Sequence, residues 1–499
     1  MDFVRYLFEQ PRDPDQVVLL GDNLTVTYGE LTEQLNRVSG WIFQKYGKDK
    51  KFLILADNSL FFILSYLGIM QSGNTAVLVE TRPSLSDLKY IIDNTVPPAL
   101  FVQKKYLPAL ASLNAEFITE ETLSSMPETG LSPHPSNLEK DEAVAVIIFT
   151  SGSTGTKKGV MLTHKNLAAN TESIIQYLQL TGKDRVCAVL PFFYCYGASL
   201  LHTHIRVGGS LVLTRKAFLG SIIKDIDKYQ CTGFAGVPST FQILINKTPF
   251  LKSPLPSLRY LTQAGGKLAD KYITMLSDHF PDKQIFIMYG ATEATARLSY
   301  LPPAMIRSKM GSIGKGIPGV TLAVLDENGR KVKAGELGEI AARGENIMKG
   351  YFGDPEGTAA VIRNGWLYTG DIGTADEEGY IYVTGRSKNI IKSGGYRISP
   401  YEVENVILSL ANVIGCVVLG IPDDLMGESV VAVVQTKSGP DTSTTSEKII
   451  THCNRSLPSY KVPQKVVFMD QFPLNSSGKV DAMRLKEIVI NAGNNEINR

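Results

Sequence analysis

At 499 residues the chain exceeds the roughly 250–300 residues at which a single core stops growing, so two or more domains are expected. Hydrophobic residues make up 43% and charged residues 20%, an ordinary globular composition, and 51 basic against 49 acidic side chains leave a net charge of +2. That balance supplies no strong field for nucleic acid or membrane, and five scattered cysteines, Cys187, Cys195, Cys231, Cys416 and Cys453, with no CxxC pair, argue against disulfides and structural zinc and suit a reducing cytoplasm.

The opening MDFVRYLFEQPRDPDQ carries acids early and lacks a long apolar core with a small-residue cleavage site, so no secretory signal is expected. Thr27-Tyr28-Gly29-Glu30 has capping-box spacing, and Leu31, Leu35, Val38 and Ile42 follow at helical spacing, which predicts a helix. Residues 52–55 read as a strand, 59–71 as a helix, 76–79 as a strand, 84–93 as a helix and Leu100–Val102 as a strand. This alternation predicts a doubly covered, largely parallel sheet. The apolar run 60–70 is broken by Ser65, Tyr66 and Gly68 and is too short to span a membrane, so it reads as a buried helix. Residues 116–141 turn polar and proline-bearing, a surface connection.

The continuous β-branched run 144–149 reads as a buried strand that delivers the loop FTSGSTGTKKG, Phe149 to Gly159. Its glycines, hydroxyls and two lysines suit a polyphosphate, although read alone such a loop is equally a flexible connection. A Walker A loop is disfavoured, because Lys158 is followed by Gly159 and the glycine spacing is wrong. A helix at 167–178 and strands at 186–190, 210–214, 234–237, Tyr260–Gln263 and Gln284–Tyr289 complete two stacked βαβ lobes. From Gly311 the segments VTLAVLDENG, GEIAARG and GYIYVTG predict hairpins of a small antiparallel sheet or barrel. A formal GxGxxG at 314–319 is discounted, since a strand follows it and Pro318 lies inside it. After Arg386, helices at 402–410 and 447–454 alternate with strands at 416–420 and 430–435. The expected fold is α/β: a large N-terminal domain, residues 1–385, of two βαβ lobes plus a small β-barrel, and a smaller mobile α+β C-terminal domain, residues 386–499.

Six segments in order resemble the signatures of the adenylate-forming superfamily, the acyl- and aryl-CoA synthetases, peptide-synthetase adenylation domains and firefly luciferase. They are FTSGSTGTKKG, PFFYCYG from Pro191, YGATEAT from Tyr289, GWLYTGD from Gly365, GRSKNIIKSGGYRISPYEVE from Gly385, and NSSGK ending at Lys479. The resemblance implies activation of a small carboxylic acid by ATP to an acyl adenylate, with pyrophosphate leaving, then transfer to a pantetheine thiol. Such chemistry asks for cations, N–H donors and a metal around the phosphates.

The resemblance further implies that Thr150, Ser151, Ser153, Thr154, Thr156 and Lys158 hold the departing phosphates. Thr292, after Gly290 and Ala291, would meet the α-phosphate, and Glu293 would carry Mg²⁺. Tyr289 would wall the adenine, with Gly265 and Gly266 leaving room opposite, and Asp371 and Arg386 would meet the ribose hydroxyls. Ile287 and Met288 depart from the pattern where many relatives carry an amide. Lys479 would bridge carboxylate and α-phosphate, Lys388 would be the hinge, and Ser393, Gly394 and Gly395 would admit the thiol. Taken singly, Glu293 reads as a solvated turn residue, Tyr289 as core and Lys479 as a mobile surface charge; their roles lean on the resemblance.

For the acid pocket the candidates are Phe193, Tyr194, Cys195 and Phe234, with Leu298. Tyr194 stands where many CoA ligases have histidine. Cys195 stands near the aspartate of amino-acid-activating relatives, which disfavours an α-amino acid. SGGYRISPYEVE and VIGCVVLGIPDDLMGE favour free coenzyme A as acceptor. The phosphopantetheine of an acyl carrier protein comes second, because Arg397 replaces the asparagine of many CoA ligases. A non-catalytic nucleotide-binding protein on the same fold is the alternative from another class, and the intact Lys479, Glu293, Asp371 and Arg386 count against it. No nucleic-acid partner and no integral membrane segment are expected, and the expected compartment is the cytoplasm.

Overall fold

Thr27 caps the helix Tyr28–Tyr46 as its spacing predicts: the Glu30 N–H donates to Thr27 Oγ1, and the Thr27 N–H donates to the Glu30 carboxylate. The face carrying Leu31, Leu35, Val38 and Ile42 is buried. The computed structural model describes residues 2–127, 142–151, 157–214, 220–387, 389–437, 444–476 and 478–497. Among these, the strands form four sheets.

The first sheet runs Gly350–Tyr351, Lys157–Thr163, Val144–Ser151, Thr75–Leu78, Lys51–Leu55, Leu100–Val102 and Phe117–Ile118. Its central strands are parallel, as the βαβ alternation requires. The strand Lys157–Thr163 is not foreseen in the sequence: it returns antiparallel to Val144–Ser151, and the following helix therefore begins at His164. Its glycine and two lysines hide a strand that owes its stability to its neighbours rather than to its own periodicity.

In the second sheet Tyr260–Gln263 has Gln284–Tyr289, Ser299–Leu301 and Lys315–Gly316 on one side. On the other lie Gly233–Gly236, Arg185–Ala188, Ser210–Leu213, Val17–Gly21 and Leu24–Thr27. One apolar cluster joins the two sheets, with residues such as Ile54, Leu78, Leu211 and Ala235 packed on the helices Leu60–Gln71, His164–Leu178 and Cys195–Val207. The run expected to be a buried helix is one, with Phe61 through Met70 all buried. No helix among the described residues is long and apolar enough to cross a membrane, and no disulfide joins the cysteines.

The third sheet is antiparallel: Val320–Leu325, Gly338–Gly344, Trp366–Ala375 and Ile362–Arg363, with Ile381–Arg386 also on Trp366–Ala375. Among the described residues its pairing does not close, so the expected small barrel is an open sheet. Its free edge at Ile381 is taken instead by Gly314 from the end of the second sheet. The discounted GxGxxG segment indeed leads into the strand Val320–Leu325.

The C-terminal unit pairs Val413–Asp423 with Gly427–Thr436 and flanks them with Lys465–Phe468, Ile391–Ser393 and Tyr396–Ile398. The helices Pro400–Leu408, Ser446–Ser456 and Ala482–Ile497 complete it. An apolar cluster continuous with Phe234, Leu261 and Tyr272 of the second lobe includes Val403, Val413 and Val430, so the two units share a packed interface. Tyr272 OH donates to the Ile414 carbonyl at 2.7 Å, and Lys271 donates to the Val413 carbonyl. Burial pulls the Lys271 ammonium down to about 8.

Within the C-terminal unit, Glu404 accepts the Val418 N–H at 2.9 Å. Burial nevertheless pushes its carboxyl from 4.5 up to about 7. A raised carboxyl pKa means the folded state keeps a proton that the unfolded state has lost, so stability falls as pH climbs from about 4.5 through 7. Glu404→Gln removes this term. The melting temperature of the parent is expected to fall between pH 5 and pH 8 by about 2–4 °C more than that of the variant; parallel curves would refute the assignment.

Candidate active site

The site is assembled from strand ends and hairpins that meet where the two lobes and the C-terminal unit converge. Tyr289 ends the strand Gln284–Tyr289, and its hydroxyl donates to Asp371 Oδ2 at 2.6 Å. The antiparallel register of Trp366–Ala375 and Ile381–Arg386 sets Asp371 directly opposite Arg386, whose Nε donates to Asp371 Oδ1 at 2.9 Å. Burial, with the Asp371 charge beside it, pushes the Tyr289 phenol far up, so it stays a neutral donor. The Asp371 charge also raises Arg386.

Past Tyr289 the chain turns sharply. A Cβ on Gly290 would lie 2.0 Å from the Ala296 carbonyl oxygen, so only glycine lets this loop close. Ala291 is extended and leads into the one-turn segment Thr292–Ala294. Thr292 Oγ1 lies 3.6 Å from Cys195 Sγ, at the start of the helix Cys195–Val207. Glu293 is held at both ends: its carbonyl accepts the Met348 N–H at 2.8 Å, and its Oε1 accepts the Tyr351 hydroxyl at 2.9 Å.

Tyr351 pairs with Val160 on the edge of the first sheet, which brings Glu293 to the glycine-rich hairpin. There the Lys158 ammonium sits 4.6 Å from the Tyr351 ring centroid and 3.1 Å from Asp354, and Thr150 stands opposite Lys158. The strand ends at Ser151. Ser153, Thr154 and Thr156, like Lys388, lie outside the described residues.

The C-terminal loop reaches into this place. A Cβ on Gly265 would fall 2.8 Å from Lys479 Cε and 3.4 Å from its Nζ, and Gly265 has φ +86°. Gly266 lies against Pro238. Burial holds the Lys479 ammonium below the usual lysine range; the Cys195 sulfur opposes this shift and the Arg386 charge adds to it. The loop is latched from three sides. Ser239 donates to the Gly478 carbonyl, the hydroxyls of Tyr194 and Ser476 lie 2.7 Å apart, and Ser476 donates to Glu80. Glu80 also pairs with Lys157 at 3.1 Å, which ties the phosphate-type hairpin to the lysine loop. Glu80 is not marked in the sequence by more than ordinary surface polarity, and Ser476 only as a member of NSSGK; their meeting across the interface gives the pair a role.

The remaining candidates divide. Phe193 is buried with its ring centroid 4.7 Å from that of Tyr194, and Cys195 is half-buried beside them. Phe234 is not with them. It is sealed in the cluster shared with the C-terminal unit, packed on Phe241 and Phe250, because its side of the strand Gly233–Gly236 faces away from Cys195. Leu298 is likewise fully buried in the main core. Ser393, Gly394 and Gly395 form a tight turn within the C-terminal unit, where the Gly394 N–H donates to the Met426 carbonyl at 2.9 Å. This pose brings Lys479, and not that turn, against Gly265.

The residues present fit a nucleotide and a hard cation. The paired glycines leave space beside the Lys479 ammonium, a space that a Cβ would fill. Glu293 offers a carboxylate on a rigid turn, where among the described residues the Tyr351 hydroxyl donates to it. Among the described residues no three His, Cys, Asp or Glu side chains converge as a metal cage, so a cation here would draw its other ligands from phosphate and water.

A family model described as AMP-binding enzyme matches residues 8–352, and one described as AMP-binding enzyme C-terminal domain matches residues 402–479. An oxalate–CoA ligase of Arabidopsis thaliana is 29% identical, covering 94% of each chain. The structure of an anthranilate CoA ligase in complex with anthranoyl-AMP is similar with a TM-score of 0.89 at 25% identity, covering 98% of this chain and 97% of the other. An o-succinylbenzoate CoA synthetase from Bacillus subtilis in complex with its acyl-adenylate intermediate gives 0.84 at 26% identity, covering 97% and 98%. The chain belongs to the AMP-binding enzyme family of the adenylate-forming superfamily, and it is an AMP-forming acid–thiol ligase.

Proposed function

We propose that the protein activates a small carboxylic acid as its acyl adenylate, releasing pyrophosphate, and then passes the acyl group to coenzyme A. The observation that carries this reading is the Lys479 side chain against Gly265, a cation of the C-terminal unit set in a site built by the rest of the chain. An ammonium held in place neutralises charge as the carboxylate and α-phosphate approach. Thr292 and Lys479 face the reacting groups. Thr150, Ser151, Ser153, Thr154, Thr156 and Lys158 hold the phosphates, with Gly290 and Ala291 shaping the turn. Tyr289 lies against the base, and Asp371 and Arg386 take the ribose hydroxyls. Glu293 would hold Mg²⁺, which supplies charge neutralisation across the phosphates when bound.

After adenylation the C-terminal unit rotates about Lys388 and brings Ser393, Gly394 and Gly395 to the adenylate. The relatives' names, an oxalate and an anthranilate CoA ligase among them, support free coenzyme A as acceptor. A carrier-protein phosphopantetheine is the second acceptor. It is favoured by the exposed Tyr396, Leu425 and Met426 beside that turn, a small apolar surface for a protein partner.

ATP–pyrophosphate exchange across aliphatic, aromatic and amino acids, followed by coenzyme A with the best acid, tests the reading. Acid-dependent exchange and thioester formation are expected. Exchange with no acid would sink the ligase reading, and exchange without transfer to coenzyme A would shift the acceptor to a carrier protein.

A further inference from the structure

Arg297 lies in the loop that closes behind Glu293, and it is only 2% exposed. The other guanidinium groups of this region have carboxylates: Arg386 has Asp371 and Arg259 has Asp184, each at 2.9 Å. Arg297 has none among the described residues. Its Nε donates to Met288 Sδ at 3.4 Å, its Nη1 reaches the Ala296 carbonyl at 3.5 Å, and its guanidinium carbon lies 3.8 Å from the centroid of the Tyr196 ring. The Tyr177 hydroxyl also meets the guanidinium, yet a sulfur, a long carbonyl contact, a neutral hydroxyl and a ring face supply no countercharge for a desolvated cation. A buried cation of this kind is costly unless an anion arrives.

Its position shows where that anion would come from. Tyr196 follows Cys195, whose sulfur faces Thr292, and the Tyr196 hydroxyl meets both the Thr262 carbonyl and the Thr262 hydroxyl at 3.0 Å, on the strand that leads to Gly265. Met288 precedes Tyr289 on the neighbouring strand. The guanidinium thus packs on Tyr196 and Met288, each the chain neighbour of a residue placed in the site, Cys195 and Tyr289. It is also held rigidly: Asn346 and Asn170 donate to the Arg297 carbonyl at 2.8 and 3.1 Å, and a Cβ on Gly290 would fall 2.9 Å from Arg297 Cα. The cavity beside Cys195, lined by Ser199, His202, Thr295 and Ala296, measures about 10 Å³, room for a water and not for an acyl chain.

We propose that Arg297 is a specificity residue that pairs with a second anionic group on the acid, so that the substrate class is a short dicarboxylate or similar acid with an anionic tail. The planar guanidinium fork matches a carboxylate at two points, which a lysine cannot do. This inference rests on the ligase reading above.

The test is ATP–pyrophosphate exchange by the full chain with matched acids: short aliphatic and aromatic dicarboxylates, their monomethyl esters, and monocarboxylates of equal length. For the parent, kcat/KM for the best diacid is expected to exceed that for its ester by at least about 100-fold. Arg297→Met should erase that preference by lowering diacid turnover about 100-fold while leaving the KM for ATP unchanged, and Arg297→Lys should restore part of it. A parent that uses the uncharged acids equally well overturns the proposal, as does an Arg297→Met protein that loses all acids in equal proportion, the mark of a packing role. Should Arg297→Met not fold, the ranking of acids by the parent still decides. Exchange with no acid of the panel overturns the ligase reading and this inference with it, whereas exchange that favours uncharged tails overturns this inference alone.

Discussion

Lys479→Ala is expected to lower ATP–pyrophosphate exchange by about 10³-fold, the loss that follows removal of a preorganised charge from a desolvated transition state. Thioester formation from acyl adenylate supplied to the same variant should stay within about threefold of the parent, because an interaction made only in the first transition state lowers only the first step. The structure supplies the reason for so large an effect. The ammonium is partly desolvated, its loop is latched by Ser239, Tyr194 and Glu80, and the neighbouring glycine, having no Cβ, leaves open the space it occupies. Stopped-flow or quenched measurements of the two half-reactions check this, and equal losses in both would contradict the role of Lys479.

Gly265→Ala should lower adenylation by about 100-fold, with Gly265→Val lower still, again sparing the second half-reaction. Two effects combine. At φ +86° any side chain is strained, and the new Cβ would lie 2.8 Å from Lys479 Cε and 3.2 Å from Val237 Cγ1. The lysine tip is the softer neighbour and moves first, so the protein folds but the cation is displaced by an ångström or so, a misplacement that is costly for catalysis. Measurement of kcat and KM for acid and ATP separately checks the argument. A fall confined to thermal stability, with exchange intact, would show that Gly265 serves only the turn.

Much of the architecture is legible in the chain because it rests on local patterns. The Thr27–Glu30 capping box, the buried helix of residues 60–70, and the strands Leu100–Val102, Tyr260–Gln263 and Gln284–Tyr289 all stand where periodicity and capping place them. The strand Lys157–Thr163 and the edge of the third sheet do not, since each depends on pairing that its own periodicity does not show: with the preceding strand Val144–Ser151 for the one, with the remote Gly314 for the other. Phe234 shows the same limit for side chains. An apolar residue on a strand near the pocket has two faces to choose between, and packing on Phe241 and Phe250 chose the far one.

By itself the sequence determined the family, the order of the motifs and the chemical character of the reaction. These depend on residue type and spacing within short segments, where hydroxyls, glycines and lysines can be read directly. Only the tertiary structure decided which charges find partners. It gave Asp371 to Arg386 and Tyr289, tied Glu80 to Ser476 and Lys157, placed Lys479 against Gly265, and left Arg297 buried with no carboxylate among the described residues. The reason is physical: desolvation and ion pairing are properties of a location in the fold, set by segments hundreds of residues apart, and no local pattern encodes them.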